Sequence, residues 1–215
     1  MKENLEIMSH AKNYNHYIAS LIVNYAKNCQ TILDFGAGIG TIAKEVKSLL
    51  SHVDILCVEH DKELVSQIPR EFPAFQSLED IEKPVDFIYA VNVLEHIEKD
   101  RWTLLEFFKI LKPNGGLFIW VPAHSWLWSS MDFQVGHVRR YSKKELIQKV
   151  KTAGFEVINC QYEDPIGLIA SMGLKFTNSI SLSKVKLYDR YIFPISKKLG
   201  HAFGKNISLY AKKIG

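Results

Sequence analysis

Two groups of residues in this 215-residue chain have types and spacing suited to chemistry. The first is Asp34-Phe35-Gly36-Ala37-Gly38-Ile39-Gly40, which follows a short apolar run and leads into a helical pattern. Glycines there permit positive φ and close approach of a ligand to the main chain. The helix behind the loop turns amide donors and a positive dipole end toward the same place. Glu59 lies 23 residues past Gly36, at the end of the next apolar run. A carboxylate so placed can accept hydrogen bonds from both hydroxyls of a ribose. The glycines run Gly-x-Gly-x-Gly, with Thr41 where a dinucleotide loop has its third glycine. A simple tight turn and a solvated strand-end acid are the plain alternatives.

The second group spans 122–141 and holds His124, Trp126, Trp128, Asp132, His137, Arg139, Arg140 and Tyr141. An imidazole oriented by a carboxylate can take a proton from a nucleophile, so His124 or His137, with Asp132 behind it, is a candidate general base. Trp126, Arg139, Arg140 and Tyr141 are candidate substrate contacts, with one arginine expected on an anion. Each histidine has a structural hydrogen-bonding role as its alternative, and His96, at a helix opening, reads as structural. No paired cysteines or other ligand spacing gives an expectation of a metal site.

The elements that must position these groups alternate strand and helix. An apolar stripe at Tyr14, Tyr17, Ile18, Leu21, Ile22 and Tyr25 predicts a helix within residues 1–28. Strands are predicted at Thr31–Phe35, Val53–Val58, Ala74–Leu78, Val85–Ala90, Leu117–Val121, Phe155–Cys160 and Ile207–Ala211. Helices are predicted at Thr41–Leu50, from an Asp61 N-cap to Pro69, at Asp100–Leu111, and from a Ser142/Glu145 capping box to Gly154. Lys112-Pro113-Asn114-Gly115-Gly116 reads as a turn. Near-continuous apolar strands in such alternation mean an α/β domain, its mostly parallel sheet covered on both faces.

These blocks resemble a known family. Ile32 to Thr41, Val58-Glu59-His60-Asp61, Asn92-Val93-Leu94-Glu95-His96-Ile97 and Leu111 to Gly116 are similar, in order and spacing, to the motifs of class I S-adenosylmethionine-dependent methyltransferases. The resemblance covers about residues 30–160. It implies a Rossmann-like seven-stranded sheet in the order 3-2-1-4-5-7-6, strand 7 antiparallel, with a helical cap between strands 6 and 7. It also implies S-adenosyl-L-methionine as cofactor. Asp34, Gly36, Ala37, Gly38 and Gly40 would cradle the methionine part, Glu59 with His60 would hold the ribose, and Asn92 would lie beside the methionine part or the sulfonium. Leu78 and Glu79 fall where the family often contacts adenine. The block Gly136-His137-Val138-Arg139-Arg140-Tyr141-Ser142 is similar to one in enzymes related to quinone biosynthesis and to lipid-linked sugar pathways. O-methylation of a small-molecule or lipid- or sugar-linked acceptor is the expectation. An NAD(P)-dependent oxidoreductase and a non-catalytic cofactor-binding module stay open as alternatives. The blocks that mark DNA amino- and cytosine-C5-methylating enzymes are absent after strand four, and nucleic acid is not an expected partner.

Composition bounds the rest. At 47% hydrophobic and 23% charged, the chain suits one globular domain over 1–215, with substrate-side insertions at 122–141 and 164–205. Three scattered cysteines and the lack of an apolar N-terminal run point to a reducing cytoplasm. Net charge is +4, but residues 1–164 carry 18 Lys/Arg against 22 Asp/Glu, and residues 165–215 carry 9 against 1. The second insertion is therefore a basic cap, suited to an anionic acceptor or to peripheral contact with a membrane surface.

Overall fold

The computed structural model describes residues 2–174 and 181–214; part of the second insertion, including Lys175, lies outside them. Seven strands form one sheet: β1 (Thr31–Phe35), β2 (Asp54–Val58), β3 (Ala74–Phe75), β4 (Val85–Val91), β5 (Leu111–Pro122), β6 (Phe155–Glu163) and β7 (Asn206–Lys213). Their order is β3-β2-β1-β4-β5-β7-β6, with β7 antiparallel to both neighbours and the other pairings parallel, as expected. The helices are α1 (Lys2–Ser9), α2 (Lys12–Ala26), α3 (Thr41–Leu49), α4 (Lys62–Val65), α5 (Asp100–Ile110), α6 (Ser130–Val135), α7 (Lys143–Thr152), α8 (Pro165–Leu174), α9 (Leu182–Leu187) and α10 (Phe193–Ser196).

Strand residues alternate between two cores. Ile32, Phe87, Tyr89, Phe118 and Trp120 pack on α2 and α3 through Ile18, Ile22, Ala43 and Val46. Their neighbours Leu33, Ile88, Leu117 and Ile119 pack on α5 and α7 through Leu104, Phe107, Leu146 and Val150. Both faces being covered is why the strands read as unbroken apolar runs instead of alternating ones.

Several local expectations change. The N-terminal segment is two helices, broken at His10–Ala11; the predicted stripe belongs to α2. Asp61 does cap α4, accepting from the Glu63 amide at 2.9 Å, but the helix ends at Val65, ahead of Pro69. The Ser142 hydroxyl caps α7 through the Glu145 amide, whereas the Glu145 carboxylate turns outward to Lys149 at 3.2 Å, so the box is half made. The Lys112–Gly116 turn is present as a loop-out within β5: Leu111 pairs with Val85 and Gly116 with Phe87. Pro194 lies in the first turn of α10, and the cap segment is not one straight α-helix. A π-helical turn at Tyr188–Ile192 joins α9 to α10 and absorbs the proline, whose ring and missing N–H disrupt an ordinary helical ladder.

The cap is tied to the body by one buried acid. Ala11, at the N-cap of α2, has no side chain able to cap the first amides. Asp189 takes that role from the other end of the chain, accepting from the Asn13 amide at 3.0 Å and the Tyr14 amide at 2.9 Å. Its main-chain carbonyl accepts from the Asn13 side chain at 3.0 Å. Charge at a helix N-terminus adds to the hydrogen bonds. Asp189→Ala is expected to lower the unfolding free energy by about 1–2 kcal/mol, read by urea denaturation, with faster proteolysis of the cap. A change within about 0.5 kcal/mol would mean that water replaces the cap without loss.

Candidate functional site

The glycine loop leaves β1 at the carboxyl edge of the sheet. Gly36, Gly38 and Gly40 have φ of 75°, 56° and 76°, the left-handed region that side chains rarely adopt. The amides of Gly36 and Ala37 donate to the Val58 carbonyl at 2.8 and 3.1 Å, which ties the loop to the end of β2. A Cβ at Gly36 would sit 2.4 Å from Val93, so this glycine also allows the segment after β4 to close on the loop. Leu5 of α1 reaches over Gly38, 3.6 Å from where a Cβ would stand.

Glu59 is buried beside this loop. Its Oε2 accepts from the Gly38 amide at 2.9 Å, and its Oε1 accepts from the Asp61 amide at 3.0 Å with His60 Nδ1 at 3.1 Å. Asp34 is buried on the α2/α3 face with its Oδ2 lacking a hydrogen-bond partner, and burial pushes its carboxyl up to about 7. Asn92 sits at φ 54°, an uncommon conformation for a residue other than glycine, and donates its amide to the Trp120 carbonyl at 2.8 Å. The residues expected at a cofactor thus converge on one edge. An orphaned buried acid, three glycines at positive φ and a carboxylate with lone pairs left fit a polar ligand carrying an ammonium group and a diol. Leu78 and Glu79 form a short 3-10 turn after β3.

The 122–141 insertion builds the facing half. It runs through a 3-10 turn at Ser125–Leu127 and α6, then returns as Ala123 bridges Tyr141. Gly136, at φ 78°, ends α6 and swings His137 back over the helix. His137 Nδ1 then meets Asp132 Oδ1 at 2.7 Å. The Asp132 carboxylate also accepts from Arg140 Nε at 2.8 Å and Nη2 at 3.1 Å, and from the Ser129 amide at 2.8 Å. Burial alone would raise this carboxyl; the hydrogen bonds from His137 and Arg140 outweigh it and hold the group well below the usual range. An ionised acid only accepts, so the His137 ring donates to it from Nδ1 and turns Nε2 away from Asp132. That Nε2 stands 3.8 Å from Glu95 Oε1.

The other predicted contacts divide. His124, with φ 62°, has its Nε2 3.1 Å from the Gly204 carbonyl and stacks on Tyr162 at 5.0 Å, so it anchors the insertion to the segment before β7. Trp126 is half exposed beside it, its ring centroid at 5.3 Å. Arg140 is spent on Asp132 and the Ala123 carbonyl. Arg139 pairs with Asp100 at 2.8 Å and with the Glu98 carbonyl. Tyr141 is wholly buried, its hydroxyl 2.8 Å from Asp100 Oδ2 and 3.0 Å from the Leu94 carbonyl, which leaves it no surface for an acceptor. Both arginines pair with the protein's own buried acids, and Tyr141 hydrogen-bonds one of them.

Two residues without a role in the sequence reading stand out. Glu95 is fully buried with neither oxygen hydrogen-bonded, and burial pushes its carboxyl up to about 8, only partly offset by Arg140. Its apolar setting, Val93-Leu94-Glu95 before His96-Ile97, is the signal that could have found it. One ligand-type atom from each of Glu95, His96 and His137 lies within 4.8 Å of the others, an arrangement that can accept a divalent cation where none was expected. Lys205 precedes β7, and burial pushes its ammonium down, opposed by the Asp164 charge.

Comparison with known proteins gives a consistent picture. Residues 10–159 match the family described as "Methyltransferase domain". A Mycolicibacterium smegmatis protein described as a probable S-adenosylmethionine-dependent methyltransferase is 25% identical over 152 residues, 66% of this chain and 56% of the relative. This chain therefore spans little more than half the length of that relative. Among solved structures, a SAM-dependent methyltransferase from Archaeoglobus fulgidus superposes with a TM-score of 0.61 at 18% identity, covering 93% of this chain and 94% of that one. The Haemonchus contortus phosphoethanolamine N-methyltransferase 2, in complex with S-adenosyl-L-methionine, gives 0.60 at 18% identity over 86% and 49%. At these identities the structures speak for the fold.

The folded chain holds the Glu95 proton to about pH 8, whereas the ordinary value is 4.5, so stability falls as pH rises through that window. Glu95→Gln removes the effect. Urea denaturation should show it stabilised by about 1–3 kcal/mol near pH 8.5 and little changed near pH 5. Equal effects at the two pH values would refute a buried neutral acid.

Proposed function

The chain belongs to the methyltransferase domain family, and from that premise we propose that it moves a methyl group from S-adenosylmethionine to an oxygen of a small-molecule or lipid-linked acceptor. When bound, that cofactor supplies an electrophilic methyl group on a sulfonium. Asp34, the Gly36–Gly40 loop and Asn92 would hold its methionine part, and Glu59 with His60 its ribose. Each Glu59 oxygen keeps capacity for a hydroxyl beyond the main-chain amide it already accepts.

The observation that carries the reading is the His137 ring, locked on Asp132 through Nδ1 so that Nε2 faces away from that carboxylate. This gives a base of fixed orientation on the same rim as the glycine loop, and its task is to take the acceptor's proton as the oxygen attacks. His124 serves the site by position, through Gly204 and Tyr162. With Arg139 and Arg140 engaged internally, Lys205 is the cation we assign to an anionic acceptor. Free Cys29, Cys57 and Cys160 support a reducing cytoplasm as its setting, and among the described residues no helix is long and apolar enough to cross a membrane. We read residues 1–215 as one catalytic unit with two acceptor-side insertions.

A second reading comes from the Glu95–His96–His137 cluster. His137 Nδ1 lies on a carboxylate, and His96 Nδ1 is 3.1 Å from the Gly136 carbonyl, the outer contacts that metal-bound imidazoles use. In that case Glu95, His96 and His137 would hold a divalent cation, which would supply Lewis acidity for the acceptor oxygen in place of a free imidazole.

Transfer of labelled methyl to fractionated cell extract identifies the acceptor and tests both readings. His137→Ala should lower turnover by about a hundredfold or more with S-adenosylhomocysteine still raising the melting temperature; near-wild-type turnover removes the base. Glu59→Ala should abolish that thermal shift. Activity that survives chelation supports the base, whereas loss on chelation with recovery in Zn2+ or Mn2+ moves the role to the cation.

A further inference from the structure

Eight of the sixteen exposed large apolar side chains among the described residues lie between 165 and 203. Scattered singly, such residues are ordinary; gathered in one cap they are not. Leu187, Tyr191, Ile195 and Leu199 recur every four residues through α9, the π-helical turn, α10 and the turn after it, and each is more than half exposed. The opposite side of this helix carries Asp189, Phe193 and Ser196, all buried, with Phe193 against the rings of Tyr14 and Tyr17 at 5.1 and 5.6 Å. The inner face is therefore settled, and the apolar ridge points away from the body. On α8, which Ser196 joins through the Ile166 amide, Ile169 and Met172 are also more than half exposed.

Charge says what meets this ridge. Lys184, Lys186, Arg190, Lys197 and Lys198 are exposed along the same segment, and its one acid, Asp189, is buried under the helix. A second copy of the chain would bring five cations onto five. An acidic protein would satisfy the charge and leave the apolar ridge to chance. An anionic bilayer answers both at once, with headgroups for the cations and an acyl boundary for the ridge.

We propose that the outer face of the α9–α10 helix, with the exposed side of α8, is a docking face for an anionic lipid surface. Leu187, Tyr191, Ile195 and Leu199 insert at the interface and the five flanking cations engage headgroups. The same helix packs inward on α2, so docking sets the acceptor rim beside the membrane. This deepens the reading of a lipid-linked acceptor and rests on that reading for its purpose. Binding itself needs neither cofactor nor acceptor, so the two fail separately.

The test is sedimentation of the full chain with phosphatidylcholine vesicles, with and without about 30% phosphatidylserine, in low salt and in about 0.5 M NaCl. Binding is expected with the anionic vesicles in low salt, weaker by about tenfold or more in Ile195→Glu and in the Lys197→Gln/Lys198→Gln double variant. Trp102→Ser, on an exposed apolar residue of α5, should bind as the parent does. Retention of the S-adenosylhomocysteine thermal shift certifies that each variant is folded. No binding to anionic vesicles, or equal binding by Ile195→Glu, overturns the proposal. So does a dimer in solution that Ile195→Glu dissociates, because the face then belongs to a second copy.

Discussion

A carboxylate with no exposure to water must collect donors for both oxygens or keep its proton. Asp132 takes the first course, and the 122–141 segment is organised by that requirement. Its donors come from Ser129 before α6, from His137 after it and from Arg140 beyond, so one buried charge folds a surface loop into a defined shape. Asp100 repeats the device with Tyr141, Arg139 and Lys149. At the end of β6, Glu163 gathers Tyr17 and Ser208, and Asp164 gathers Tyr188 and Ser196. Glu95 takes the second course. The contrast between an ionised Asp132 and a proton-holding Glu95, a few ångströms either side of one imidazole, gives the site its chemical asymmetry.

The glycine-loop half of this rim was legible because its logic is local. Three glycines with positive φ, an acid two residues ahead of them and another at the next strand end lie within about thirty residues, and each is demanded by main-chain geometry that short sequence patterns encode. The 122–141 half was legible only in composition. The His137–Asp132 pair was foreseen because Gly136 and a five-residue spacing make it nearly local. Arg139, Arg140 and Tyr141 looked like substrate contacts because buried acids at distant positions, above all Asp100, have no signature in a neighbouring sequence.

The same limit explains the smaller differences. Half of the expected capping box at Ser142 failed because Lys149, one turn on, competes for the Glu145 carboxylate. The charge division was plain in the sequence, yet its meaning needed the fold. Burying Asp189, the one acid between residues 165 and 215, leaves an outer face that is basic and apolar together, a harder surface to keep in water than the net charge suggests.

That buried Asp189 also sets an order of events. The donors it satisfies belong to Asn13 and Tyr14, some 175 residues earlier in the chain. During synthesis, α2 emerges with its first amides uncapped and its aromatic face bare, and it waits while strands β1 to β6 are made. Only when the cap segment leaves the ribosome can Asp189 close the helix end and Phe193 cover Tyr14 and Tyr17. Closing so long a loop is slow, because the chain entropy is lost before the contact is gained. The earliest part of this protein to be made is thus among the last to be finished, and its completion coincides with assembly of the rim.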